Sequence, residues 1–179
     1  IVDNLGITDP AVKQNVLYIL ANRYFKLNDI YEVRDQKVKY AKAVLTGASK
    51  QAAIEAAELE KDATLYRCHF EFPASLSLYI NDKQIDAIKD GMTYNSLQVQ
   101  YESLVDMVPS LTEEEKKQIY AWYKEAREFS MDAENSDKKH AAFNKYKGRI
   151  NNYLTKRGYD LVKERNEWYK RLKAAGKKI

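Results

Sequence analysis

The stretch "TDPAVKQNVLYILANRYFKLNDIYEVRDQKVKYAKAVLTG" constrains this chain most, because neither glycine nor proline interrupts it between Pro10 and Gly47. Thr8 or Asp9 can accept hydrogen bonds from the first free amides of a helix. Pro10 suits the first helical position, where an N–H would lack an intrahelical acceptor. Val16, Leu20, Tyr24, Leu27, Tyr31, Val38, Ala41 and Leu45 recur at three- and four-residue steps, with one wider gap around Arg34. Gly47 is placed to close the segment. The spacing predicts a long first helix over 8–46, roughly 55 Å at 1.5 Å per residue.

The rest of the chain is punctuated in the same way. Ser49 can open a second helix carrying Ile54, Leu65, Cys68 and Phe72 inward, which Pro73 should kink or end. Asn81 can cap a short helix closed by Gly91. Thr112 and Glu115 form a capping box ahead of Ile119, Trp122, Tyr123 and Phe129. Ser136 can cap a helix that Gly158 ends, and Asp160 can start a last one with Leu161, Trp168 and Leu172 inward. Residues 92–110 carry no clear period and are expected as an irregular loop segment. With only six glycines and three prolines in 179 residues, turn material is scarce. No alternating stretch is long enough for a sheet. The expectation is an all-α, single-domain bundle of about five to seven helices spanning 1–179. A chain of this length can bury roughly 70% of its unfolded surface.

Composition excludes several classes. No run approaches the ~20 apolar residues of a membrane span. Cys68 is the only cysteine, so no intrachain disulfide and no CxxC site can form. No P-loop, dinucleotide loop, HExxH or GxSxG motif occurs, and nothing implies a cofactor or a metal. Cys68 and His69 are adjacent and point apart on a helix. Glu125 with Glu128, or Glu128 with Asp132, share a helical face as a carboxylate pair would, although Lys124 and Arg127 between them fit a solvated ion-pair surface better. No residue set commits the chain to catalysis.

Charge is uneven. From Lys138 onward there are 14 basic and 3 acidic side chains, against a whole-chain net charge of +4. Interleaved Phe143, Tyr146, Tyr153, Tyr159, Trp168 and Tyr169 make this segment, the basic C-terminal helices of 138–179, a candidate polyanion face for nucleic acid or an acidic polysaccharide; the small net charge argues against nucleic acid. Helices exposing lysines for solubility would look the same. In "KHAAFNKYKGRINNYLTKRGYD", His140, Lys147, Arg149, Asn151 and Asn152 can exchange hydrogen bonds with hydroxyls or carboxylates, and Tyr153 or Tyr94 can stack on a ring. Gly148, a helix-interior glycine costing roughly 1 kcal/mol against alanine, is expected to admit a packed helix or a ligand.

Two resemblances enter on specific residues. Ile7-Thr8-Asp9, Ile80-Asn81-Asp82 and Leu111-Thr112-Glu113 share one capping pattern, and the second runs on to Gln84. In this they resemble the LTxxQ periplasmic chaperones of the Spy and CpxP type. The stretches "KDGMTY" (89–94), "EAREFSMD" (125–132) and "KYKGRINNYL" (145–154) resemble the family called domain of unknown function 3826. That resemblance covers most of the chain and departs around "CHFEFPASLSLYIND". It implies export to the periplasm or beyond, and a sugar-binding role in polysaccharide use. It supplies no mechanism or catalytic residue; Lys89, Thr93, Tyr94 and Arg127, which lie in these stretches, join the residues above as candidate ligand contacts. A protein-binding chaperone is the alternative, and a glycan-processing enzyme using His140 or a carboxylate pair is the third.

Overall fold

Capping chemistry sets where the helices begin. In a computed structural model, which describes residues 1–177, the Asp9 carboxylate accepts from the amides of Ala11 and Val12, and Pro10 opens α1 (Pro10–Val44). Thr8, the other candidate cap, lies one residue outside. Leu45 caps the far end. Gly47 does not close α1; at φ +55 it turns the chain and opens α2 (Gly47–His69). Pro73 has no N–H to give the His69 carbonyl, so the helix breaks at Phe70. It restarts as α3 (Glu71–Leu76) with Pro73 in the first turn, where an amide needs no intrahelical partner.

Asn81 and Gln84 bond reciprocally, side chain to backbone, at the start of α4 (Asp82–Met92). Gly91 lies inside α4 and does not terminate it. The expected loop of 92–110 is corrected by α5 (Ser96–Met107), on which Leu97, Tyr101 and Leu104 recur at helical steps, with Val108 as its C-cap. Its start was hidden because Asn95 sits in the left-handed region at φ 55 and offers no side-chain cap. Thr112 and Glu115 complete the capping box of α6 (Glu113–Met131). Asn135 caps α7 (Ser136–Lys156) by accepting from the Lys138 amide, one residue ahead of the expected Ser136. Gly158, at φ +94, gives its amide to Thr155 while Tyr159 gives its own to Leu154, a Schellman close. Asp160 then caps α8 (Leu161–Ala174). Positions 178 and 179 of the expected basic segment lie outside the described residues.

The protein is all-α: a 3₁₀ turn at Val2–Leu5 and eight α-helices, with no strand among the described residues. None of these helices is long and apolar enough to cross a membrane. Two compact units meet within α4, residues 1–88 and 89–179. In the first, α1 pairs with α2 and α3, and Gln84 ties the N-terminal turn by donating to the Leu5 carbonyl. Its interior is thin. Tyr24, expected inward on α1, is exposed, and Tyr31, Val38 and Leu45 are half-buried. In the second, α6 packs between α5 and α7, and α8 rests on α5 and α7. Leu97, Leu104, Val108, Ile119, Tyr123, Phe143, Ile150 and Leu154 form one contiguous core there.

Candidate functional site on the outward face of α7

Helix α7 buries Lys139, Phe143, Tyr146, Ile150 and Leu154, spaced three and four apart, against its neighbours. The opposite face is therefore fixed by helical geometry. Gly148 lies at its centre, and a Cβ placed there would meet nothing within 4 Å. Among the described residues no helix packs against Gly148, which removes one of the two expected reasons for it. Its helix-surface neighbours three and four residues away are Asn144, Lys145, Asn151 and Asn152. Among the described residues none of these four side chains makes a hydrogen bond or ion pair, so three amides and one ammonium frame a bare patch of backbone. Lys147 is exposed beside them.

The edge of this face near the start of α7 meets the turn after α4. Tyr94 and Asn95 both hold positive φ, 58 and 55, a conformation that asparagine tolerates and that costs a tyrosine about 1–2 kcal/mol. Fixed partners hold the turn in place. Asn95 gives its amide to the Asp90 carbonyl at 2.8 Å, and the buried Thr93 hydroxyl donates to the Lys89 carbonyl at 2.9 Å. The ammonium of Lys139 donates to the Met92 carbonyl at 2.8 Å. Burial pushes the pKa of Lys139 down, while the nearby Asp132 carboxylate opposes the change. Tyr94, 55% exposed, thereby stands over Lys139 and stacks on His140 with ring centroids 5.6 Å apart.

Beneath the turn lies an ionic lattice. Arg127, 2% exposed, donates to Asp90 at 2.8 Å and reaches Glu128 at 3.6 Å. Lys89 grips both Glu128 oxygens at 2.8 and 3.0 Å. The expected contacts thus separate into two sets. Lys89, Thr93 and Arg127 spend their polar groups inside the protein and position Tyr94. His140, Lys147, Asn151 and Asn152 share the outward side of α7 with Tyr94 at its edge.

Arg149 and Tyr153 lie at the border with α6. The Arg149 guanidinium reaches Glu125 at 3.3 Å and lies over the rings of Tyr146 and Trp122, at 5.0 and 5.9 Å. Tyr153 meets the Trp122 ring edge-on at 5.0 Å, and Arg157 covers it at 4.7 Å. Tyr153 therefore is not an open platform; Tyr94 is. The carboxylates proposed as a pair divide as well: Glu125 serves Arg149, Glu128 serves Lys89, and Asp132 is buried near Lys139. In the first unit, the Cys68 thiol is buried beside the Arg23 guanidinium, and His69 packs edge-on against Phe70. Asn144 and Lys145 were not singled out from sequence, although their spacing from Gly148 was legible there.

A family profile described as "Protein of unknown function (DUF3826)" matches residues 1–174. The chain belongs to the DUF3826 family. No curated protein matches it. The face on α7, the Tyr94 turn and the ionic lattice all fall within the family's matched span.

Proposed function

We propose that this DUF3826 protein binds carbohydrate on the outward face of α7, and that it does so outside the cytoplasm. The observation that carries the reading is Gly148: a helix-interior glycine that nothing packs against, ringed by Asn144, Lys145, Asn151 and Asn152 without protein partners. A glycine there costs roughly 1 kcal/mol of helix stability, and its one structural effect is a flat approach to the helix surface. Carboxamides both donate and accept, which matches the mixed donor and acceptor character of sugar hydroxyls. Tyr94, fixed by the strained turn and backed by His140, supplies a ring face at one end. Export rests on the likeness of the "KDGMTY" and "KYKGRINNYL" stretches to their family.

The test is a thermal-shift series against neutral and acidic oligosaccharides. One class should stabilise the protein saturably. Gly148→Ala should raise the melting temperature of the free protein and abolish that ligand-dependent shift, and Asn152→Ala should weaken the shift without raising the melting temperature. A shift equal to wild type in both variants, or flat curves throughout, overturns the assignment.

One observation favours a second reading, a partner-binding or chaperone-like protein. The first unit leaves Leu17, Tyr18, Phe25, Leu59, Tyr66 and Leu78 exposed, and a groove of about 490 Å³ between α1 and α2 is lined by Val33, Tyr40, Leu45 and Ala53. Suppression of client aggregation that disappears in Phe25→Ser/Leu59→Ser would favour it over glycan binding.

A further inference from the structure

We infer that the ligand of the α7 face is an acidic glycan, a chain carrying carboxylates or sulfates, and not a neutral one; this rests on the carbohydrate reading above. Between Lys138 and Tyr159 the chain has seven basic residues and no acid. Neighbouring elements answer only part of that charge. Glu125 reaches Arg149 at 3.3 Å and Glu115 reaches Arg157 at 3.7 Å. Lys139 is buried near Asp132. Lys138, Lys145, Lys147 and Lys156 remain exposed and make no ion pair among the described residues.

Their placement is ordered. Lys138, Lys145 and Lys156, separated by seven and eleven residues, fall on one edge of the Gly148 strip, with Asn152 between the last two. At 1.5 Å per residue this edge runs for about 27 Å. Lys147 stands on the other edge, near His140. A linear polymer with repeated negative charge can lie along such a strip, its hydroxyls meeting the amides and its anions meeting the ammonium groups.

The same charge would attract nucleic acid, but the rings argue against it. Single-stranded nucleic acid draws much of its affinity from bases stacked on open aromatic faces. Along the strip itself the rings are withdrawn, and the open face of Tyr94 at its end can stack a single base only. Phe143 and Tyr146 are buried, and Tyr153 is covered by Arg157.

The experiment measures binding of the intact protein to polygalacturonate, heparin, dextran and a single-stranded DNA oligonucleotide, at about 20 and about 300 mM salt. The expected result is binding to polygalacturonate or heparin well above dextran and DNA, weakened by salt. A Lys145→Gln/Lys156→Gln variant that melts like wild type should lose about fivefold in affinity, as removal of two exposed charge contacts predicts. Dextran bound as tightly, with the double variant unchanged, overturns the acidic assignment while glycan binding stands. DNA bound as tightly as the acidic glycans also overturns it. Failure of every glycan to bind sinks both this inference and the reading beneath it.

Discussion

The hairpin of α1 and α2 and the pair of α6 and α7 obey the same helical rules with opposite results. Over 35 residues α1 buries Val16, Leu20, Arg23, Leu27 and Ala41, with nothing fully buried between Leu27 and Ala41. Over 21 residues α7 buries five side chains at unbroken three- and four-residue steps. In the middle of the hairpin, Arg34 and Glu58 pair at 3.2 Å where a core would place aliphatic groups, and Lys37 pairs with Glu60. The facing residues on α2 include Ala53, Ala56 and Ala57, too small to fill the space, so a groove remains. Between α6 and α7 the facing residues are Ile119, Tyr123, Phe143 and Ile150, large enough to close it. Periodicity makes two helices pair, but side-chain volume at the contact decides whether the pair becomes a core.

That contrast can be broken most directly in the cores. Ile150→Ala, at a fully buried site, should cost about 3–4 kcal/mol by denaturant unfolding. Leu27→Ala should cost about 2 kcal/mol, because its thinner surroundings can collapse into the space. Equal losses would contradict a difference in packing density.

Glu115 sharpens the comparison next. Buried in the second unit, its carboxylate accepts from the Thr112 amide at 2.9 Å and from the Tyr159 hydroxyl at 2.7 Å. Burial alone would raise its pKa, but the Tyr159 and Thr112 hydrogen bonds and the Arg157 charge hold it below the usual carboxylate range. A group whose folded pKa is depressed contributes stability above its unfolded value and loses it as pH falls through the folded one. Glu115→Gln should cost about 2 kcal/mol at neutral pH and flatten the decline of stability below pH ~4.5. An unchanged acid limb would remove Glu115 from the account. The Lys37–Glu60 pair of the hairpin is exposed, and Lys37→Ala should change stability by less than about 0.5 kcal/mol.

A local effect concerns α8, which buries no residue fully. It is fastened where Trp168 donates to the Asp106 carboxylate at 2.6 Å and Arg171 donates to the Asp106 carbonyl at the end of α5. Asp106→Ala should cost about 1 kcal/mol and speed amide exchange in α8 while leaving α7 protected. Exchange that rises equally in both helices would mean that α8 belongs to the core's cooperative unit.

Much of the fold was legible because caps and breakers act locally. Pro10, Thr112 with Glu115, Gly158 and Asp160 each act through bonds a few residues away, so the chain carries those boundaries on its own. The start of α5 was hidden because Asn95 turns through a left-handed conformation that leaves no capping signature. The α7 face was half legible. Its periodicity places Asn144, Lys145, Asn151 and Asn152 around Gly148, but no spacing reveals whether a neighbour covers a glycine.

The sequence by itself determined the all-α class, most helix starts and the sign of charge along α7, since these follow from residue chemistry within one or two turns. Only the tertiary structure decided which cations are spent inside. Lys89 and Arg127 find Glu128 and Asp90, and Lys139 finds a carbonyl 47 positions away, while Lys145 and Lys147 find no partner among the described residues. Ion pairing depends on distance in space, and a buried charge must be matched where it lies. That selection separates the residues that hold the Tyr94 turn from those left to meet a ligand.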